Sequence, residues 1–239
     1  MDEKKKIGIL TFHNAHNYGA VLQAYALKTK LGRMGYDAKI LNYRNQYIAR
    51  LYRKVIHIDL WKRDILPSSW GKVLREAGEN LYGLKEWQSQ WAVFEQFIKD
   101  RLLDGKEQIL SLDDLAKEQC DVYILGSDQI WARELTHGFD PVYFGQFAPM
   151  RKKISYAASV PNGSIPEADQ EYFKNALASL AHISVREEKL ALAVEKLTGK
   201  EVTTVVDPTL LLEKADYEDL LYRDRIVKEK YIFAYYVVE

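Results

Sequence analysis

A polar turn near the amino terminus contains the first side chains whose types and spacing could do chemistry. In the sequence TFHNAHNYGAVLQ, imidazole and carboxamide groups crowd the connection between an apolar run and a helical pattern. Such groups beside a helix amino terminus would suit a hydroxyl-rich or anionic ligand. The alternative is a capped turn whose polar groups satisfy one another, with Asn17 as the cap. The predicted ligand-binding residues of this turn are His13, Asn14, His16, Asn17, Tyr18, Gly19 and Gln23.

A second polar turn follows the apolar run in the sequence DVYILGSDQIW. Its carboxylate, Asp128, could act as a general base toward a sugar hydroxyl, and Trp131 could stack on the face of a pyranose ring. Gly126, Ser127 and Gln129 complete the predicted binding residues of this turn. A structural role is equally compatible with these residue types, because Ser127 or Asp128 could simply cap the next helix.

Nucleotide, metal and cofactor sites are not predicted. Neither the G-x-G-x-x-G nor the G-x-x-x-x-G-K-[ST] fingerprint occurs in the first turn, so a dinucleotide or a P-loop triphosphate is not expected there. His13 and His16 are three residues apart, and no third ligand follows at a spacing typical of zinc sites. We therefore expect no metal and no cofactor.

The composition indicates a globular protein. The chain has 239 residues, of which 47% are hydrophobic, and its formal net charge is zero, so no global basic field favours nucleic acid. A single cysteine, Cys120, excludes an internal disulfide and precedes an apolar run, which favours a buried and unreactive thiol. No signal-peptide pattern and no apolar run of about 20 residues is present. We expect a cytoplasmic protein.

The elements that must position the two polar turns are predicted as alternating strands and helices. This alternation predicts an α/β fold: a Rossmann-like, doubly wound parallel sheet with helices on both faces and sites at the carboxyl ends of strands. Between about residues 45 and 118, helices and polar connections replace the alternation, which indicates a helical insertion. The predicted strands lie at 7–12, 36–44, 121–127, 153–159 and 182–187, and the segment 201–212 (EVTTVVDPTLLL) continues the alternation. The predicted helices lie at 20–34 and 166–180, and a third follows the strand at 182–187 and ends at 197.

Two domains are predicted. Residues 1–212 form the Rossmann-like domain with its insertion, and residues 213–239 are interpreted as a linker and the first strand of a truncated second α/β domain. The basis is the strand pattern KYIFAYYVVE, which has no helix after it.

Two helices of the insertion have alternative interpretations. The first is amphipathic and basic, so Ile48, Arg50, Arg53 and Lys54 could rest peripherally on the inner face of an anionic membrane, although packing on the sheet is favoured. In the second, the stripe of Trp87, Trp91, Phe94 and Ile98 is more typical of a core than of a sugar-stacking platform.

Five ordered motifs together resemble a known family. They are FHNAHNYGAVLQAYAL, VYILGSDQIW, KISYAAS, ISVRE and VVDPTLLL, and they look like the amino-terminal half of polysaccharide pyruvyl transferases from about Ile7 to Leu212. The resemblance implies transfer of a pyruvate ketal from phosphoenolpyruvate, as donor substrate, to two hydroxyls of a sugar or lipid-linked oligosaccharide. It also implies exopolysaccharide biosynthesis and similarity to the amino-terminal, acceptor-side domain of B-type glycosyltransferases. Without the donor-side second domain, the chain is expected to be inactive alone.

The implied chemistry needs an acid, a base and groups that bind anions. Asp128 is the candidate base, and His13 the candidate acid or phosphate partner. Arg186 could neutralise a carboxylate or phosphate of the donor, or instead form an ion pair with Glu187 or another acidic group. For Asp207, which precedes a proline, helix capping is favoured over a place in the cleft.

Two other functions remain open at this point. A glycosyltransferase of similar architecture would use a nucleotide sugar and release a nucleotide. A carbohydrate-binding module without catalytic activity would bind an oligosaccharide without releasing phosphate.

Overall fold

The structure is a computed structural model that describes residues 4–52, 84–147, 151–221, 227–232 and 234. Its centre is a parallel sheet with the strand order β2-β1-β3-β4. Two further parallel strands, β5 and β6, adjoin it through the bridges Ile154–His182 and Ala158–Val185. The strands are β1 (Lys6–Leu10), β2 (Asp37–Ile40), β3 (Val122–Leu125), β4 (Lys152–Ser155), β5 (Ile183–Val185) and β6 (Val202–Thr204).

The strand order reverses at β1, which pairs with both β2 and β3. Such a reversal in an open parallel sheet leaves a crevice outside the carboxyl ends of the two strands that flank it. The predicted α/β class with a parallel sheet is confirmed, and the sheet is consistent with a Rossmann-like fold. The second strand is shorter than the predicted 36–44, because only Asp37–Ile40 pairs with β1.

Helices cover both faces of the sheet. Successive residues of β3 alternate between two buried clusters, with Tyr123 in one and Ile124 in the other. The first cluster includes residues of α6 and α7, and the second contains the buried face of α1. The helices are α1 (Tyr18–Arg33), α2 (Gln46–Tyr52), α3 (Leu84–Phe97, followed by a π turn at Ile98–Leu102), α4 (Leu112–Lys117), α5 (Arg133–Thr136), α6 (Gln170–Leu177) and α7 (Glu188–Thr198).

Helix α1 (Tyr18–Arg33) begins two residues before the predicted range 20–34 and ends one residue before its end. Asn17 caps its first turn, since the Asn17 Oδ1 atom accepts a hydrogen bond from the Ala20 amide at 3.2 Å. Lys30 and Arg33 lie in the last turn, where positive charge is favourable. The capping interpretation of Asn17 is therefore confirmed.

Strand β1 packs closely against its surroundings at Gly8. A Cβ atom there would lie 2.9 Å from both the Cys120 Sγ atom and the Leu41 side chain. Cys120 is buried, as predicted, and its burial raises the pKa of the thiol. This thiol is therefore a packing group beneath the central strand.

The chain after β6 returns across α1. The Tyr25 hydroxyl donates to the Asp216 carbonyl oxygen at 3.2 Å, and Arg33 pairs with the buried Asp216 carboxylate. Residues 214–220, which were predicted to belong to a linker, thus form a 3₁₀ segment fastened to this helix. The predicted strand at 230–239 lies mostly outside the described residues.

The described part of the insertion favours packing for its first helix. Ile48 is buried in the main core cluster, so it is not available to a membrane. The Arg50 side chain and residues Arg53 and Lys54 lie outside the described residues, and so does the Trp87 side chain. Within the described ranges, no helix is both long and apolar enough to span a bilayer.

Candidate functional site

The polar turns that follow β1 and β3 meet at the reversal point of the sheet. The Thr11 hydroxyl donates to the Ser127 carbonyl oxygen at 2.8 Å, and the Gln23 amide nitrogen donates to the same hydroxyl oxygen at 2.8 Å. All three residues are buried. The two turns expected from the sequence are therefore fastened side by side, at the edge where an open parallel sheet binds its ligands.

His13 lies inside this junction, with no side-chain surface exposed to solvent. Its Nδ1 atom is 3.2 Å from the Thr11 carbonyl oxygen, and its Nε2 atom is 3.1 Å from Asn42 Oδ1. Asn42 is oriented by its own amide group, which donates to two backbone oxygens at 2.9 and 3.1 Å. Asn42 therefore presents its oxygen to His13, so both ring nitrogens face acceptor oxygens.

Burial lowers the pKa of His13 to about 4, so the ring is neutral at neutral pH. With one nitrogen bonded to Asn42 and the other beside a carbonyl oxygen, the ring is part of the wall that supports the site. This arrangement corrects the expectation of a solvent-facing acid or phosphate partner at this position.

A groove of about 1080 Å³ opens beside this wall. That volume is slightly above the roughly 300–1,000 Å³ usual for small-molecule sites. The residues that give the groove its chemical character are Asn14, Arg44, Tyr47, Trp91, Glu95 and His137. The turn after β1, the chain after β2, the α3 helix and the chain after β3 all contribute to it.

Asn14 is a buried polar residue of the groove. Its side chain is 5% exposed, and its Oδ1 atom has no hydrogen-bond partner among the described residues. An unpaired buried acceptor costs about 1–3 kcal/mol, which a ligand that donates a hydrogen bond would recover. The predicted binding role of Asn14 stays a prediction, and this unpaired oxygen is compatible with it.

His16 joins the same turn to α3. Its Nε2 atom is 2.8 Å from Glu95 Oε1, and its ring lies 3.8 Å from the Trp91 ring and 5.2 Å from the Phe94 ring, measured between centroids. The hydrogen bond from His16 lowers the pKa of Glu95, and the nearby Arg44 charge acts in the same direction. Glu95 is therefore a carboxylate at neutral pH.

Arg44 stands opposite this carboxylate. Its Nε atom donates to Asn42 Oδ1 at 3.0 Å, and its NH1 atom is 3.9 Å from Glu95 Oε2. The Asn42 Oδ1 atom thus contacts both His13 and Arg44, which connects the buried ring to a charged group of the groove. Neither Arg44 nor Glu95 was predicted as a site residue.

A second polar cluster lies further along the same edge, after β3, β5 and β6. The Arg186 Nε atom donates to Glu187 Oε1 at 3.1 Å, and its NH1 atom donates to Asp207 Oδ2 at 3.1 Å. The alternative in which Arg186 forms an ion pair with Glu187 is therefore confirmed. Asp207 also caps the following 3₁₀ turn, because its Oδ1 atom accepts from the Thr209 amide at 3.0 Å.

Asp128 faces this second cluster. Burial raises the pKa of its carboxyl, while the hydrogen bond from the Gln129 amide, at 2.7 Å, and the Arg186 charge oppose the shift. Its backbone has a φ of 79°, which an aspartate rarely adopts. Two residues before it, Gly126 has a φ of 113°, and a Cβ atom there would lie 2.4 Å from the Tyr156 carbonyl oxygen. The turn therefore requires glycine at this position.

Ser127 and Trp131 point away from the crevice. The Ser127 hydroxyl donates to the Ala157 carbonyl oxygen at 3.0 Å. Trp131 is 1% exposed and packs on Phe144 and Phe173, with its indole nitrogen bonded to the Tyr143 carbonyl oxygen. The expected stacking of Trp131 on a sugar is thus wrong, because aromatic side chains already cover its ring.

The proposed capping role of the second turn is also wrong. Helix α5 begins after Ala132, and its first turn has no side-chain cap.

In the polar turn after β1, Tyr18 is 71% exposed, and its ring centroid lies 5.0 Å from that of Phe94. Gly19 is exposed beside it. Gln23 is buried, and its Oε1 atom has no hydrogen-bond partner among the described residues.

The missed residue Glu95 had a detectable signal in the sequence. It lies four residues after Trp91 and three before Ile98, so it interrupts the apolar face of α3 with a charge. Because buried or half-buried charges need partners, such an interruption indicates a polar contact across the face.

Among the described residues, no cluster of three or more histidine, cysteine, aspartate or glutamate side chains could hold a metal ion.

Comparison with known proteins gives one family. A family model described as polysaccharide pyruvyl transferase matches residues 17–238. No curated protein and no solved structure matches the chain.

Proposed function

Because the chain belongs to the polysaccharide pyruvyl transferase family, a family of transferases, we propose that it transfers a pyruvate ketal from phosphoenolpyruvate to a sugar of a bacterial surface polysaccharide. The family match over most of the chain carries this proposal. The groove beside the sheet reversal supports it, since it offers amides, a carboxylate and aromatic rings to a hydroxyl-rich ligand.

The proposed reaction proceeds in two additions. Protonation of the methylene carbon of phosphoenolpyruvate makes its C2 atom electrophilic, and one sugar hydroxyl adds there and loses its proton to a base. The C–O bond to phosphate then breaks, and the second hydroxyl adds and loses its proton. The products are the cyclic ketal and inorganic phosphate. The protein must supply an acid for the first protonation and a base for the hydroxyl protons, and it must bind the anionic groups of the donor.

Asp128 is the proposed base. A carboxyl whose pKa is raised by burial retains a proton more readily than an exposed one, so it is better matched to proton transfer near neutral pH. Its place after the central strand β3 puts it at the ligand-binding edge of the sheet.

Arg186 is the proposed contact for the carboxylate or phosphate of the donor. Two carboxylates, Glu187 and Asp207, already hold its guanidinium, so it is fixed in orientation and partly neutralised. Further positive charge is therefore needed for a donor as anionic as phosphoenolpyruvate. We propose that a second α/β domain supplies it, in the arrangement of B-type glycosyltransferases.

His13 enters the proposal as a positioning residue. It is neutral and enclosed, and it acts through Asn42, which in turn holds Arg44 at the groove. This role replaces the direct proton transfer expected from the sequence.

The reaction is tested with the full-length protein, phosphoenolpyruvate and oligosaccharide repeat units of bacterial surface polysaccharides. We expect phosphate release that depends on the sugar, together with a new ketal methyl signal in the proton NMR spectrum of the product. Release of a nucleotide from a nucleotide sugar, without consumption of phosphoenolpyruvate, would identify a glycosyltransferase instead. Sugar binding without either reaction would identify a carbohydrate-binding protein.

A further inference from the structure

We propose that Glu95 binds a hydroxyl of a neutral sugar in the groove, with His16 as the residue that positions its carboxylate. This inference rests on the proposed function, since it specifies how the same protein recognises its acceptor. It assigns an acceptor-binding role to α3, a helix of the connection between β2 and β3.

The two oxygens of Glu95 have different surroundings. Oε1 is held by the His16 ring at 2.8 Å, whereas Oε2 is 3.9 Å from the Arg44 NH1 atom, which is too long for a hydrogen bond. The side chain is about one-third exposed (35%), and it lines the groove. The geometry thus fixes one oxygen of the carboxylate on the protein and leaves the other to a ligand.

The chemistry of this oxygen selects the kind of group that binds it. An ionised carboxylate only accepts hydrogen bonds, and Glu95 is ionised because its hydrogen bond with His16 lowers its pKa. Its partner must therefore donate. A sugar hydroxyl donates, whereas the carboxylate of an acidic sugar would meet a like charge and be rejected.

Two neighbours of Glu95 complete the recognition of a pyranose. Trp91 lines the groove one helical turn before Glu95 and packs against the same His16 ring, so apolar aromatic surface adjoins the carboxylate. A pyranose ring has an apolar face and a rim of hydroxyls, which match such a pair. Asn14, two residues before His16, adds an amide group at the same wall.

Arg44 balances the charge of this position. It lies on the other side of the Glu95 carboxylate, so one positive and one negative side chain line the groove together. A strongly anionic ligand therefore gains little net attraction here. This charge balance favours a neutral hexose or N-acetylhexosamine over a uronic acid at this position.

The competing explanation is purely structural. In it, the hydrogen bond between His16 and Glu95 serves only to hold α3 against the turn after β1. The substitution Glu95→Gln separates the two explanations. The glutamine keeps an oxygen that can accept from His16, so the fastening is retained, but it replaces the second carboxylate oxygen with an amide group. Asp100→Asn is the matched control, since Asp100 is an exposed carboxylate on the π turn directly after α3.

The experiment measures sugar binding directly. The full-length protein is applied to an array of defined bacterial oligosaccharides that includes neutral and uronic acid versions of the same chain, and the best ligand is then titrated by calorimetry. We expect Glu95→Gln to weaken binding of the neutral ligand by about tenfold or more, as for loss of a hydrogen bond to a charged group. We also expect it to reduce the discrimination against the uronic acid. Asp100→Asn should change neither.

Three results would overturn the inference. They are unchanged binding by Glu95→Gln, preference of the wild-type protein for the uronic acid version, and no binding to any oligosaccharide of the array. The pyruvyl transfer assay is independent of this readout. If the protein releases phosphate and Glu95→Gln binds the sugar as the wild type does, the proposed function is retained and the inference is wrong. If sugar binding depends on Glu95 but no phosphate is released, only the inference is retained.

Discussion

Thr11 donates its hydroxyl hydrogen to the carbonyl oxygen of Ser127 across 2.8 Å, and this bond joins the two turns at the reversal point of the sheet. The two residues are 116 positions apart in the chain, and they follow the carboxyl ends of the neighbouring strands β1 and β3. The bond thus fixes the first turn, which borders the groove, against the second, which holds Asp128.

Thr11→Val should loosen this junction. The valine leaves the Ser127 carbonyl without this buried donor and leaves the Gln23 amide nitrogen with only the Ala20 carbonyl oxygen as acceptor, which costs about 1–3 kcal/mol in the free energy of unfolding. Urea denaturation measures the loss. Thr203→Val, at an exposed position of β6, is the control and should change stability little. Equal effects of the two variants would contradict the role of the junction.

Asp128→Asn should abolish most of the activity while stabilising the fold. Loss of the proposed base lowers kcat by about 100-fold or more. Because burial raises the pKa of Asp128, the folded state binds its proton more tightly than the unfolded state, and ionisation at neutral pH costs stability. The variant should therefore have a higher Tm than the wild type at pH 7.

The pH dependence of that difference checks its cause. The gain in Tm should disappear as the pH falls below the ordinary range of an aspartate, near 3.8, where both states of the wild type are protonated. Asp113→Asn, at an exposed position of α4, is the control for both measurements. Normal kcat in Asp128→Asn would exclude this residue as the base.

His13 should make stability depend on pH between about 4 and 6.5. The pKa of His13 is lowered from 6.5 to about 4 in the folded state, so the unfolded state binds more protons in this interval. The stability contributed by the neutral ring is complete above pH 6.5 and is lost as the pH falls, up to about 3 kcal/mol. His13→Gln should flatten this slope in urea denaturation, whereas His182→Gln, at an exposed position, should retain it.

Arg186→Lys should weaken the use of phosphoenolpyruvate in particular. A lysine keeps the positive charge. It lacks the planar guanidinium, whose several N–H groups can bond Glu187, Asp207 and an anionic ligand at the same time. We expect the KM for phosphoenolpyruvate to rise by about tenfold, with the KM for the sugar unchanged. Arg133→Lys, whose arginine pairs with Asp169 at 2.5 Å, is the control. An equal rise in both KM values would point to a general distortion instead.

The sequence predicted the elements of the site better than the orientation of its side chains. The neighbouring positions of the two turns follow from topology, because the carboxyl ends of parallel strands share one edge. The cap at Asn17 is equally local and was predicted correctly. Trp131 was not, because its burial depends on Phe173, which reaches it from a helix more than 40 residues later in the chain.

His13 and Glu95 show the same limit. Their environments are set by partners far along the chain, Asn42 for one and His16 for the other. Residue type and spacing predict that a group is available for chemistry, but the packing of distant segments decides whether it faces a ligand or a neighbouring side chain.

The groove and the Arg186 cluster come from different lengths of chain. The connection between β2 and β3 supplies Trp91 and Glu95, whereas the chain after β5 and β6 supplies Arg186 and Asp207. Under the proposed roles, changes in α3 alone would alter which glycan such a protein accepts, and the residues proposed to contact phosphoenolpyruvate would stay the same. Grafting this helical connection between relatives offers a direct route to enzymes with exchanged sugar preferences.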